Sequence, residues 1–284
     1  MKKKIQKIKW PKNKKFAACL SHDVDIAFKY NLIGSLKEIK NNPKSFFSVL
    51  FKAVTKENPY WQFEKIIELE KRFDFRSTFF FCAKRRYIKD PYYNIRNIKI
   101  RNIINKLDKE GFEIGLHGSY LSYNNLKYLK EEKSILESVL NKKISGNRQH
   151  FLNFTERTSK ILSELDFSYD SSFGDRNKVG FKDGKFFPFY YGKLLEIPIN
   201  IMDATLFTQY GSFENAWKNL KNLIDLAIKK KALITFNWHQ RVFYDLEFKR
   251  WGKLYIQILE YLKNNNAHVD TLGNIAKLYK NGRL

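Results

Sequence analysis

Two rhythms recur along the chain: short unbroken apolar runs, and longer stretches with an apolar residue at every third or fourth position. Residues 16–25, "FAACLSHDVD", begin as a continuous apolar run and turn polar at the exit, which predicts a buried strand. Residues 61–74 carry helical spacing, and "RSTFFFCA" (76–83) reads as a second buried strand. The alternation then repeats. Helices are predicted over 100–111, 123–142, 158–166, 213–231 and 251–266. Strands are predicted over 112–119, 167–172, 194–203 and 232–239, and 144–152 reads as a short strand or an exit loop. Gly111 marks a helix stop. Residues 26–60 read as one or two short helices broken at Pro43 and closed near Pro59. Residues 173–194 are rich in glycine and aromatics and show no clear period.

Strands alternating with helices predict an α/β fold with a parallel sheet. The number of units suits a (β/α) barrel of about seven parallel strands better than an open sheet. Apolar residues make up 43% of the 284, so a large core can form. No linker or composition break divides the chain after residue 15, so 16–284 is expected to be one domain and 1–15 a basic tail.

Lys and Arg number 53 against 29 Asp and Glu, a formal charge of +24. That excess favours an anionic partner, although a solvated lysine-rich surface has the same composition. No nucleic-acid recognition motif accompanies it, so none is expected as a partner. Cys19 and Cys82 both lie inside apolar runs, as buried free thiols would. The N-terminus has charge but no apolar segment of signal-peptide length behind it, and no stretch reaches the length of a membrane span. A cytoplasmic protein is expected, with possible contact between its basic N-terminus and an anionic membrane face.

The candidate chemistry sits at strand ends. Of five histidines, His22, His117, His150 and His239 fall at or just past the C-terminal end of a predicted strand, the end where parallel barrels build their sites. In "SHDVD", Asp23 and Asp25 share one face of the strand, and His22 and Val24 share the other. Two carboxylates so close repel unless a cation intervenes. A divalent metal would serve, with one Asp as ligand and the other as base. An Arg or Lys from a loop would also serve.

The order of these motifs resembles that of the polysaccharide deacetylases of carbohydrate esterase family 4. These are distorted (β/α) barrels that remove acetyl groups from N-acetylated sugars with one divalent metal, often zinc. The resemblance makes Asp23 the base and Asp25 a ligand. The family's second motif, H-x-x-x-H, is matched by His117, but Leu121 stands where the second histidine belongs. In "GNRQHFL", Arg148 resembles the arginine that orients the base. His150 is then the implied replacement ligand, completing a set of Asp25, His117 and His150; a substrate contact is its other reading. Asp170 in "YDSS" is implied as a brace for Arg148, His239 in "LITFNWHQ" as the general acid, and Trp238 as a wall of the site. Zinc is the implied ion. The implied substrate is an N-acetylated sugar; the expected cytoplasmic setting and the basic charge suit one carried by an anionic nucleotide or lipid for surface-polysaccharide synthesis, and 173–192 is either a substrate loop or an ordinary packed surface loop. A carbohydrate-binding protein that kept the fold and lost the metal is the alternative.

Overall fold

The computed structural model describes residues 9–29 and 58–282. The short helices expected around Pro43 fall within 30–57, outside the described residues. The strands are β1 (Phe16–Val24), β2 (Thr78–Phe81), β3 (Glu113–Gly118), β4 (Gly146–Gln149), β5 (Tyr169–Asp170), β6 (Phe189–Tyr191), β7 (Leu194–Glu196), β8 (Ile201–Met202), β9 (Leu233–Asn237) and β10 (Ala267–Val269). The helices are α1 (Phe63–Arg72), α2 (Ile98–Lys109), α3 (Leu126–Leu140), α4 (Glu156–Glu164), α5 (Asp203–Tyr210), α6 (Phe213–Lys230), α7 (Trp251–Asn264) and α8 (Leu272–Lys280).

The strands form one curled sheet in the order β6-β7-β5-β4-β3-β2-β1-β9-β8, with β10 beside the first half of β1. Every pairing is parallel except β6–β7. This is the distorted (β/α) barrel that the alternation of elements predicts. Its seam is the segment from β7 to β8. Ile197 N–H donates to the Asp170 carbonyl (2.9 Å) and Ile199 N–H to Phe173 (2.9 Å), while Asn200 N–H donates to Thr235 across the gap (3.2 Å). The single strand expected over 194–203 is therefore two short ones joined by an irregular bridge. α5 was not legible as a helix, and the antiparallel β6–β7 hairpin lies in the aperiodic region.

Side-chain alternation sorts the core into two layers. On β1, Phe16, Ala18, Leu20 and Val24 pack outward under the helices, while Ala17 and Cys19 face the barrel interior with Phe80, Tyr169, Leu195 and Leu233. The helices close the outer layer with one apolar face each. On α6 that face is Ala216, Leu220, Ile224 and Ala227, at helical spacing. Asn125, Thr155, Ser212 and Thr271 each cap a helix by accepting the N–H three residues on. The interior rings need room. A Cβ on Gly115 would meet the Phe80 ring at 2.6 Å, and one on Gly146 the Tyr169 hydroxyl at 2.1 Å.

Within the expected tail over 1–15, Trp10 is docked: it is 3% exposed and donates from Nε1 to the Lys231 carbonyl at 2.8 Å. An indole offers enough apolar area to hold a basic segment down, which its charge concealed. Residues 1–8 lie outside the described residues. Among the described residues, no helix is long and apolar enough to cross a membrane.

Candidate active site

The inward parity of β1, β3, β4 and β9 continues past their C-terminal ends and brings Asp23, Asp25, His117, Arg148, His150 and His239 together at one mouth of the barrel. His117 closes β3, His150 follows β4, and His239 follows β9.

Asp25, His117 and His150 each aim one ligand atom at a common point, all within 4.8 Å of one another. His117 Nε2 is 2.9 Å from His150 Nδ1, and Asp25 Oδ1 is 3.3 Å from the first and 3.5 Å from the second. The tautomers follow from the other ring nitrogens. His117 Nδ1 faces the Arg148 carbonyl at 2.9 Å, and His150 Nε2 faces the Lys89 carbonyl at 3.0 Å. A carbonyl only accepts, so each proton sits on that side. That leaves His117 Nε2, His150 Nδ1 and one Asp25 oxygen as the atoms able to hold a cation; with no cation there, Asp23 and Asp25 outweigh burial and raise the His117 imidazole above its ordinary value. Asp25 Oδ1 is buried and has no hydrogen-bond partner among the described residues. The triangle has the size at which an ion roughly 2.0–2.2 Å from each corner touches all three, as zinc does with imidazole and carboxylate. The donor set fits a divalent cation, and the two backbone carbonyls orient the ligands. Burial would raise the Asp25 carboxyl, but the facing imidazoles of His117 and His239 hold it well below the usual carboxylate range.

Asp23 stands beside this cradle, 4% exposed. Its Oδ1 accepts from Arg148 Nη1 at 2.9 Å and its Oδ2 from Asn237 Nδ2 at 2.7 Å, while Asn237 Oδ1 accepts the Asp23 N–H at 3.1 Å. Burial pushes this carboxyl up. The charge of Arg148, with those of His117 and His239, outweighs it and holds Asp23 below its ordinary value, so it is ionised. Arg148 is fully buried, and each of its three nitrogens has a partner. Nη1 also donates to Ser21 Oγ (2.8 Å), Nε to the Ser171 carbonyl (3.0 Å) and Nη2 to Ser171 Oγ (3.0 Å). The guanidinium lies over the Phe80 ring, 4.4 Å from its centre, which is the purpose of the space left by Gly115.

His239 occupies the other flank, its Nε2 3.3 Å from Asp25 Oδ2. Asp203, the first residue of α5, accepts from both the His239 backbone N–H (2.7 Å) and Nδ1 (2.8 Å). Burial alone would lower the imidazole. The charge of Asp203 reverses this, and His239 is pushed up to about 10.

Several expectations need correction. Asp170 does not brace Arg148. On β5, Tyr169 faces inward, so Asp170 faces out and Ser171 faces in, and it is Ser171 that meets the guanidinium. Asp170 instead accepts from Asn147 Nδ2 (2.5 Å) and the Ser172 N–H (2.8 Å), opposite Glu196 on β7. Burial raises both carboxyls, Glu196 well above its ordinary value. Trp238 is not a wall of the site. It lies one residue off the inward parity, fully buried against Phe207 and Tyr255. His22 faces outward, as its parity predicts, between the Trp238 carbonyl (2.5 Å) and Glu70 (2.8 Å). Leu121 stands 42% exposed in the turn after β3. Of the stretch 173–192, Arg176 reaches over Phe151 beside His150, but Tyr190 and Tyr191 pair with the start of β7, at the opposite end of the barrel.

Three residues escaped the sequence reading. Asn237 lies two before His239 and so shares its face. Asp203 ends the run "LLEIPINIMD", a strand-end acid placed by the rule that singled out the histidines. Arg241 follows His239 and carried no signal of its own.

No family model matches the sequence, and no curated protein does either. Solved structures do match by shape. A protein of Mycobacterium smegmatis assigned as a polysaccharide deacetylase aligns over 98% of this chain and 94% of its own, at 16% identity and a TM-score of 0.67. One of Pseudomonas aeruginosa PAO1 with the same assignment aligns over 96% and 93%, at 16% identity and 0.65. PuuE allantoinase aligns over 95% and 92%, at 18% identity and 0.64. The chain has the polysaccharide-deacetylase fold, which the allantoinase shares.

Proposed function

We propose that the protein is a metal-dependent hydrolase that removes the acetyl group from an N-acetylated sugar. The observation that carries this reading is the convergence of one ligand atom each from Asp25, His117 and His150, between Asp23, paired with Arg148, and His239, paired with Asp203. A divalent cation held by those three side chains would act as a Lewis acid on the amide carbonyl and supply an activated water. Asp23, ionised and held by Arg148 and Asn237, accepts the proton of the attacking water. His239, kept protonated by Asp203, donates to the departing amine nitrogen. The pair thus works as base and acid on opposite flanks of the amide. The buried Phe80–Arg148 stack keeps bulk water from beneath Asp23, so its charge acts at full strength.

Zinc is the ion we assign. Imidazole and carboxylate ligands suit it. The substrate we propose is a sugar on an anionic nucleotide or lipid carrier, consistent with the +24 charge. The protein would then act on the cytosolic side, ahead of surface-polysaccharide assembly.

The test is metal analysis of protein purified without chelator, followed by acetate release from N-acetylglucosamine oligosaccharides and carrier-linked N-acetylglucosamine, with allantoin as a non-sugar amide. We expect about one divalent ion per chain, acetate release from a sugar, and loss of turnover in Asp23→Asn with the metal retained. No bound ion, and no release after adding zinc, cobalt or nickel, would refute the reading. Turnover of allantoin alone would reassign the substrate.

A further inference from the structure

Two arginines border the site, and only one is satisfied. Arg148 spends its donors on Ser21, Asp23 and Ser171. Arg241, in the short turn Gln240–Phe243, does not. Its Nη1 is buried and has no hydrogen-bond partner among the described residues. The nearest anion is Asp25 Oδ2 at 3.8 Å, beyond hydrogen-bond reach. Glu247 does not take it either, since that carboxylate accepts from Lys29 Nζ and Tyr60 OH. The Arg241 side chain is 19% exposed, so an acceptor arriving from outside can reach it, and a buried donor without a partner favours one that does.

Electrostatics says what kind. With a divalent cation in the cradle, Asp25 is committed to it, and Arg241 becomes a second positive charge beside the first. An anion bridging this region relieves both. Geometry says where. Arg241 Nη1 and His239 Nε2 approach the same oxygen, Asp25 Oδ2, at 3.8 and 3.3 Å. Arg241 therefore lies on the flank where the departing nitrogen takes its proton, away from His117 and His150. An anion there must be attached close to that nitrogen. In a 2-acetamido sugar, the carbons on either side of the acetamido carbon carry such groups: a phosphate on the anomeric carbon, or an acid-bearing ether on the third.

We propose that Arg241 is a specificity residue that binds an oxyanion, phosphate or carboxylate, on the carbon adjacent to the acetamido carbon of the substrate. This rests on the deacetylase reading and narrows its substrate class.

The test is calorimetric binding to the zinc-loaded full-length protein carrying Asp23→Asn, which blocks turnover, with and without R241Q. The probes are N-acetylglucosamine 1-phosphate, N-acetylmuramic acid and the neutral methyl glycoside of N-acetylglucosamine. We expect at least one anionic probe to bind about 10-fold or more tighter than the neutral one, the size of one charge-assisted hydrogen bond. In R241Q that ratio falls to within about 2-fold of unity, and R241K retains part of it because it keeps the charge without the fork. The preferred anionic probe identifies the phosphate or the carboxylate. Equal binding of all three probes, no binding of any, or a preference that survives R241Q overturns the proposal. Acetate release by protein with Asp23 intact is measured separately. A preference with no release from any sugar would leave the anion site standing and remove the deacetylase reading.

Discussion

Asp203→Asn isolates the charge that raises His239, the proposed acid. The substitution keeps an oxygen to accept from His239 but removes the charge. His239 lies near 10 against an ordinary 6.5, and that gap corresponds to roughly 5 kcal/mol in favour of the imidazolium. Asp203 makes the largest favourable contribution, while burial and Arg241 both oppose it. Without Asp203 the opposing forces dominate, and His239 should titrate at 6.5 or below. The sign for stability follows. A base whose pKa rises on folding stabilises the fold fully below its unfolded value, and that contribution fades as the pH climbs through the folded value. Wild-type protein should therefore lose stability between about pH 6.5 and 10, and the variant should lose less over that window. The assay is a proton NMR titration of the metal-free protein, where Asp25 keeps its own charge, with His239 assigned by its absence in His239→Gln. In the loaded enzyme, the basic limb of kcat/KM should move down by about 2 pH units or more. A His239 resonance still titrating near 10 in the variant would refute the argument and transfer the effect to Asp25.

His150→Ala should weaken zinc binding by at least about 100-fold in chelator competition, since even outer partners of a ligand are worth 10–100-fold; adding Leu121→His should not restore it, because that position is exposed beyond the strand. Arg148→Met leaves Asp23 buried without its cation and should cost about 3–5 kcal/mol in urea unfolding; a loss under ~1 kcal/mol would mean that Asn237 suffices. Glu196→Gln should flatten the stability profile above the ordinary carboxylate range. Raised carboxyls stabilise the fold only below their ordinary values and lose that contribution as the pH rises through the folded ones. Parallel urea curves for variant and wild type would show that the pair does not take up a proton on folding.

Much of the barrel was legible because its strands obey a period of two. On β1 that period separates His22 from Asp23, and the structure keeps the separation. The same rule, applied to "FSYDSS", turns Ser171 toward Arg148 and Asp170 away from it; a strand of two residues gave too little pattern to force that reading. α5 was missed because its buried face is only Asp203, Thr205, Leu206 and Phe207, too short to establish helical spacing. The ligand triangle was suggested by strand-end placement, but its tautomers depend on the Lys89 and Arg148 carbonyls, which no side-chain pattern reports.

The seam of the barrel has a mechanical meaning. His117 and His150 hang from the unbroken ladder β4-β3-β2-β1, and Asp25 follows directly from its last strand. Asp203 hangs from the bridge after Asn200, where only Ile201 and Met202 pair with β9. The two halves of the site therefore rest on foundations of unequal stiffness. A substitution at Ile199 or Asn200 should reach Asp203 and His239 and leave the Asp25, His117 and His150 cluster untouched, so that drift in the seam would adjust the working pH of the proposed hydrolase without disturbing its cation site.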